Sequence, residues 1–407
     1  MSSTTFLYRF FPFIFIYIAS VGVILPKGSI ATQLIGTLIL ITTFYQFVTN
    51  YKSTNLFNIL LTFLIYISFL SIFSSKFLYS LSNIASAAIW MLILPISFFL
   101  INNMTRFKRL VNSIAFIGVL YVVNIIVSTV FGITGKSYSR EIFQVGNLFT
   151  EGLNSMAYVL VATPLIIHFR PKNKRLIFIL AIIIFVLVFV QLKRISILAI
   201  LTGLMIQILY SKNRISLVFG LVASALIMLV AFPLYESILS VQYKVRERRL
   251  TTVNIEEEGR YQETFHAFNE TIFSNDLKLF LFGKEVFNSP GNYANGKFGP
   301  RMIHNDYNMI LHGSGVIGLL LFITWPIPLY VFYRKMKILA KPSFEDKRLF
   351  DIMTVLFLNL LIMGYLISLS GGINAILFNS IRVALMGGIL RILYEYAGQT
   401  AINYKQS

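Results

Sequence analysis

Ile303-His304-Asn305-Asp306-Tyr307-Asn308-Met309-Ile310-Leu311-His312-Gly313-Ser314-Gly315-Val316-Ile317-Gly318 opens as a polar, histidine-led segment and runs straight into the apolar stretch from Leu319 to Tyr333. An apolar run of about seventeen or more residues can cross a hydrocarbon core of about 30 Å as a helix. Such runs recur along the chain, and a helix is the default for each, because it satisfies its own backbone groups where water is absent. The reading is an all-α polytopic membrane protein. So polar a cluster at the mouth of one span points to chemistry at one face of the membrane.

Composition agrees. The 407 residues are 57% hydrophobic and only 13% charged, where a soluble domain carries roughly a quarter charged residues. A net charge of +19 would suggest nucleic acid in a soluble protein. Here Lys and Arg sit mostly in short connections between apolar runs, where they set topology, and no nucleic-acid partner is expected. The chain has no cysteine, which excludes disulfides, thiolate metal sites and cysteine nucleophiles. Met1 to Arg9 leads into the first apolar run without a small-residue cleavage site, so a retained first span is expected rather than a removed signal.

The apolar runs give about twelve expected spans, near 10–25, 30–49, 56–73, 80–101, 108–131, 153–169, 176–192, 195–210, 215–233, 304–333, 349–368 and 373–394. The short even-numbered loops hold sixteen basic residues, among them Arg106, Lys108, Arg170, Lys174, Lys341 and Lys347, against six in the short odd-numbered loops. That bias places the even loops and both termini in the cytoplasm. The organisation expected is nine spans over 1–233, a long outer loop over 234–303, three spans over 304–394, and a cytoplasmic tail over 395–407.

The outer loop carries nine of the sixteen acidic residues and nine basic ones, as a folded, solvated element would. Asn254 and Glu257 have the spacing of a capping box. Tyr261, Phe265, Phe268 and Ile272 then recur at helical spacing, predicting an amphipathic helix along the membrane surface with this stripe down. Asn288 to Asn292 reads as a turn. No internal repeat is visible, which counts against repeat-built transporters.

Three features have residue types suited to chemistry. Lys193-Arg194 lies between two apolar runs at an expected outer interface; the pair either snorkels to headgroups or holds an anion, for which the planar fork of Arg194 is suited. Arg260, about 100° around the helix from Tyr261, points off the apolar stripe or pairs with Glu256 or Glu263. Glu256-Glu257-Glu258 reads as charge at a helix N-terminus. In the third feature, His304 and Asn308 lie one turn apart and share a face. His312 is rotated about 80° from His304, toward a neighbouring helix. Asp306 is placed to orient the His304 imidazole, and Gly313, Gly315 and Gly318 permit close approach to the backbone. There is no nucleotide loop, defensible Ser-His-Asp order, zinc-type spacing or Asp-any-Asp metal pair. An enzyme built from these parts works without nucleotide, metal or other cofactor.

On these residues the chain resembles the O-antigen ligase and polymerase superfamily of bacterial envelope glycosyltransferases. The segment from His304-Asn305-Asp306 to Gly318 resembles that family's His-Asn and Gly-any-any-Gly signature after its long outer loop. Gly259-Arg260 resembles the arginine within the loop, Lys193-Arg194-Ile195-Ser196 a basic motif at a helix mouth, and Asn154-Ser155-Met156-Ala157 a helix start. The resemblance covers about residues 150–330 in motif order; the first 150 match by hydropathy alone. It implies a GT-C-like fold in the bacterial cytoplasmic membrane and a metal-independent, inverting transfer. The implied donor is an oligosaccharide on a polyprenyl pyrophosphate, with membrane lipid around it and a chain-length regulator as a candidate partner.

In that scheme Arg194, Arg260 and Lys193 bind the pyrophosphate, while His304 meets the acceptor hydroxyl as general base, steadied by Asn305 or Asp306. Asp306 departs from the family pattern, whose members are often uncharged there, so either carboxylate or imidazole is open as the base. A polymerase is the first reading and a ligase to lipid A core the second. A transporter of lipid-linked sugar, the reading from another class, predicts charges inside several spans; the spans are read as nearly free of them.

Overall fold

The structure, a computed structural model, describes residues 3–20, 29–132, 156–190, 198, 200–203, 205–206, 259–299, 302–369 and 371–406. Among the described residues every regular element is helical. In chain order the helices are α1 (Ser3–Ser20), α2 (Ile30–Asn50), α3 (Asn58–Ser71), α4 (Phe77–Leu100), α5 (Met104–Val130), α6 (Met156–Phe169) and α7 (Lys174–Val190). Then follow α8 (Gly259–Thr271), α9 (Leu277–Phe282), α10 (Asp306–Thr324), α11 (Pro326–Ala340), α12 (Lys347–Ser368) and α13 (Ile376–Gln406).

Short polar side chains start these helices by accepting backbone N–H groups that lack an intrahelical partner. Asn103 accepts from Arg106 at 2.9 Å, Asn305 from Tyr307 at 2.9 Å, and Asp346 from Leu349 at 2.9 Å. Six helices, α10 and α11 taken together as one, are long and apolar enough to cross a membrane. Three shorter apolar helices, Phe6–Ile18, Asn55–Ser71 and Met156–Phe169, fall on three more of the expected spans, and α7 falls on 176–192. The expected spans 195–210 and 215–233 lie mainly or wholly outside the described residues.

Packing separates a centre from a rim. The apolar window of α13 is 89% buried and that of α2 only 22%. A helix apolar all round belongs inside a bundle, and α13 packs on α4, α11 and α12. On α2, Leu34, Leu38, Ile41, Phe44 and Val48 are exposed, a continuous apolar patch suited to lipid rather than water. These features define a polytopic helical membrane protein. Residues 395–406, expected as a tail, are helical and continue α13 without a break.

The bundle has two chemically distinct ends. At one, the Tyr8 hydroxyl donates to the Arg106 carbonyl, Arg170 Nε donates to Asn112 Oδ1 at 2.7 Å, and His168 pairs with Asp346 at 3.1 Å. These contacts gather the basic α4–α5, α6–α7 and α11–α12 turns, the even loops of the sequence. At the other end the α3–α4 turn, the α12–α13 turn and residues 283–299 and 302–305 meet. There Glu285 accepts from Ser74, from the Ser75 amide and hydroxyl, and from Asn288.

Between the ends, α10 is interrupted. Gly315 has φ 66° and ψ −168° inside the helix, a region open essentially to glycine alone. Tyr66 of α3 covers the break, donating to the Ser314 carbonyl at 2.9 Å and lying 3.3 Å from the Leu281 carbonyl. Tyr66→Phe should cost about 1 kcal/mol, a typical net hydrogen-bond contribution, read as a small fall in thermal unfolding temperature in detergent.

Candidate functional site

The site is built where α8 lies along the first half of α10. Two glycines permit the approach of the connecting chain: a Cβ on Gly313 would stand 3.0 Å from the Glu285 carbonyl, and one on Gly283 would stand 2.5 Å from the Ser314 amide. The row His304, Asn308, His312 then faces α8. Asn308 Nδ2 donates to Thr264 Oγ1 at 2.7 Å, and His312 Nε2 lies 3.2 Å from Glu270 Oε2. His312 faces a neighbouring helix, as expected, and that helix is α8, which also meets His304; Tyr293 lies alongside.

Glu263 is the carboxylate at His304. Its side chain is 1% exposed while that of His304 is 34% exposed, so the acid is enclosed and the imidazole reaches the surface of the site. Glu263 Oε2 accepts the His304 backbone N–H at 3.1 Å, and Oε1 lies 3.4 Å from Nδ1, which is also 3.1 Å from the Met302 carbonyl. Two acceptors around Nδ1 favour the tautomer with the proton there, which leaves the basic lone pair on Nε2.

The residues expected to steady the imidazole do other work. Asn305 caps α10. Asp306 turns away to the α12–α13 turn, where Oδ1 accepts the amides of Gly372 at 2.9 Å and Ile373 at 3.2 Å. The neighbouring Gly371, at φ +82°, leaves no room for a Cβ beside the His304 carbonyl. Helical geometry explains the outcome: residues two apart at a helix start point about 200° from each other, so Asp306 cannot follow His304 toward α8.

The other sequence candidates fare unequally. Lys193 and Arg194 lie outside the described residues, as do Asn254 to Glu258. Arg260 occupies the second residue of α8, and its side chain is not described. The stripe Tyr261 and Phe265 is exposed, while Glu263, Ala267 and Thr271 form the face packed against the protein. Among the described residues no group of three or more His, Asp or Glu is placed to hold a metal ion.

Two carboxylates secure the loop. Burial pulls Glu270 upward, but hydrogen bonds from His312 and the Ala294 amide, with the charges of His312 and Lys284, outweigh it and hold the carboxyl below its ordinary value. Burial likewise opposes ionisation of Glu285, and its bonds from Asn288, Ser75 and Ser74 prevail, again lowering it. A depressed carboxyl contributes stability above its unfolded value, near 4.5, and loses that contribution as pH falls through the folded value. Glu285→Gln should therefore lower the unfolding temperature at neutral pH. The gap to wild type should narrow in acid, as pH falls from 4.5 through the lowered folded value; a gap constant with pH would contradict this account.

Sequence reasoning missed a second polar feature, inside the bundle. Arg382 of α13 is 7% exposed and stacks on Trp90 of α4, its guanidinium carbon 5.5 Å from the ring centre. It lines a cavity with Asp306, Tyr307 and Tyr365. Arg391 lies further along the same helix, paired with Glu395 at 2.5 Å. The spans are thus less free of charge than the sequence reading held. The signal was present: two arginines within the apolar run 373–394, where an ionisable residue marks a site by default.

The chain is thus a multi-pass helical membrane protein with a carboxylate–imidazole pair at its loop-bearing end and a buried cation beneath. It matches no protein-family model, and no curated protein matches it at a significant level.

Proposed function

We propose that this protein is a bacterial surface-polysaccharide polymerase. It transfers glycan from a polyprenyl-pyrophosphate donor to a sugar hydroxyl of a second lipid-linked repeat unit. The Glu263–His304 pair carries this reading: an enclosed carboxylate orients an accessible imidazole at the membrane face where such an acceptor would enter. His304 Nε2 takes the proton of the acceptor hydroxyl. The freed oxygen attacks the anomeric carbon from the side opposite the leaving group, forming the new glycosidic bond with inversion. The bond to the pyrophosphate breaks, and the diphosphate leaves with the electron pair, steadied by Arg194, Arg260 and Lys193.

The reading extends to about twelve spans in a GT-C-like arrangement, with the basic end and both termini cytoplasmic and the His304 end outside. O-antigen, capsule and exopolysaccharide are the product classes, and a chain-length regulator is the expected protein partner. A ligase acting on lipid A core would use the same groups. The buried Arg382 favours one further reading, a transporter of the same lipid-linked sugar, since transporters place charge within the bundle.

The deciding experiment gives purified protein a polyprenyl-pyrophosphate-linked repeat unit from the producing strain, without metal, and resolves products by length. A ladder formed without lipid A core is the expected result. A single shifted product that requires the core indicates a ligase. No product, with movement of the lipid-linked sugar across a proteoliposome membrane, overturns the enzyme reading.

A further inference from the structure

The cavity lined by Arg382 lies between α4, α10, α12 and α13, and both tryptophans of the chain, Trp90 and Trp325, border it. Its polar groups are nearly all committed within the protein. Trp90 Nε1 donates to the Ile373 carbonyl at 2.7 Å and Asn379 Nδ2 to the Gly372 carbonyl at 2.8 Å. The Tyr307 hydroxyl donates to the Tyr365 carbonyl at 2.9 Å, and the Tyr365 hydroxyl to the Ile323 carbonyl at 2.7 Å. Asp306 Oδ1 takes the amides of Gly372 and Ile373.

The guanidinium of Arg382 is different. Its buried Nε has no hydrogen-bond acceptor, and among the described residues no carboxylate reaches it as an ion pair; Asp306, in the same cavity, acts on it by charge alone. Gly364 of α12 leaves room for it, since a Cβ there would collide with Nη1. Trp90 supplies a ring face to one side of the cation, but a ring face accepts no conventional in-plane hydrogen bond. A guanidinium enclosed within membrane-spanning helices with donors unspent calls for an anion. Its planar fork matches phosphate oxygens in a bidentate way.

We propose that this cavity is an anion-binding site in which Arg382 holds a phosphate or pyrophosphate group. The site sits beneath the His304 end, joined to it through Asp306 and the α12–α13 turn. It stands apart from the transfer reading, which gives the donor pyrophosphate to Arg194, Arg260 and Lys193, because it is argued from the enclosed Arg382 alone. The source of the phosphate is either a prenyl lipid entering from the bilayer or a free ion from water, and the chemistry at Arg382 is the same.

The two tryptophans, with ring centres 6.4 Å apart, are the only ones in the chain, so intrinsic fluorescence reports this cavity. Purified full-length protein in neutral detergent is titrated with farnesyl pyrophosphate, with inorganic pyrophosphate, and with farnesol. A saturable fluorescence change with farnesyl pyrophosphate, absent with farnesol, is expected. Arg382→Gln should weaken half-saturation about 30-fold or more, as loss of one partner of a buried charge pair does, and Arg382→Lys should fall between. If Arg382→Gln does not fold, Arg382→Lys carries the comparison. A response to inorganic pyrophosphate as well assigns the site to free phosphate; a response to the prenyl form alone assigns it to a lipid. No response of the wild type to either anion overturns the proposal. So does an equal response to farnesol, or an unchanged response in folded Arg382 variants.

Discussion

If the protein is the polymerase proposed above, Glu263→Gln is expected to lower glycan transfer on the order of tenfold to a hundredfold, and His304→Ala by about 10²–10⁴, the range for a positioned general base. The substitution at Glu263 is conservative in shape. The amide oxygen can still accept the His304 backbone N–H, which Glu263 Oε2 now takes at 3.1 Å, so folding should be kept. What is lost is the negative charge 3.4 Å from Nδ1, which favours the imidazolium formed when Nε2 takes the acceptor proton. The loss should therefore appear in kcat with KM little changed. Residues acting as a unit are not additive, so the double variant should be no slower than His304→Ala alone. Full kcat in Glu263→Gln would remove this carboxylate from the mechanism. Asp306→Asn should leave the pH–rate profile in place, since Asp306 is bound to the α12–α13 turn.

Gly315→Ala should be strongly destabilising. At φ 66° and ψ −168° the backbone cost for a non-glycine residue is about 1–3 kcal/mol. The added Cβ would also overlap the Leu281 carbonyl and the Phe282 amide, which are backbone atoms and cannot rotate aside. Overpacking of that kind costs a further 1–3 kcal/mol, for a total of roughly 2–6 kcal/mol. A steep fall in unfolding temperature, or loss of folded protein on extraction, is the expected outcome. Gly398→Ala is the control: its Cβ would meet nothing within 4 Å, and helix propensity alone predicts a gain of about 0.5–1 kcal/mol. Equal behaviour of the two variants would contradict the role given to the break in α10.

Much of the architecture was legible without coordinates, because hydropathy and charge are local properties. The apolar runs located the helices described between residues 3 and 190 and from 306 onward. The basic loops sorted themselves onto one end, where Arg106, Arg170 and Asp346 now gather. The outer-loop helix was legible from its spacing, but the face that packs on the protein, Glu263, Ala267 and Thr271, was not. His304 stood out because a polar cluster at a helix mouth is conspicuous in so apolar a chain.

Which groups meet His304 was not legible. Glu263 reaches it across 41 residues of sequence, and nothing in local spacing ranks it above Asp306, two residues away. Arg382 lay inside an apolar run whose average hides a single charge, and only packing against Trp90 and Gly364 showed it enclosed. The sequence by itself determined a helical membrane protein with two unlike ends, since burial in lipid is decided residue by residue along each helix. The tertiary structure alone decided that Glu263 holds the imidazole, that Asp306 turns to the α12–α13 loop, and that a cation is enclosed beneath them, because those pairings depend on which helices touch and at what rotation.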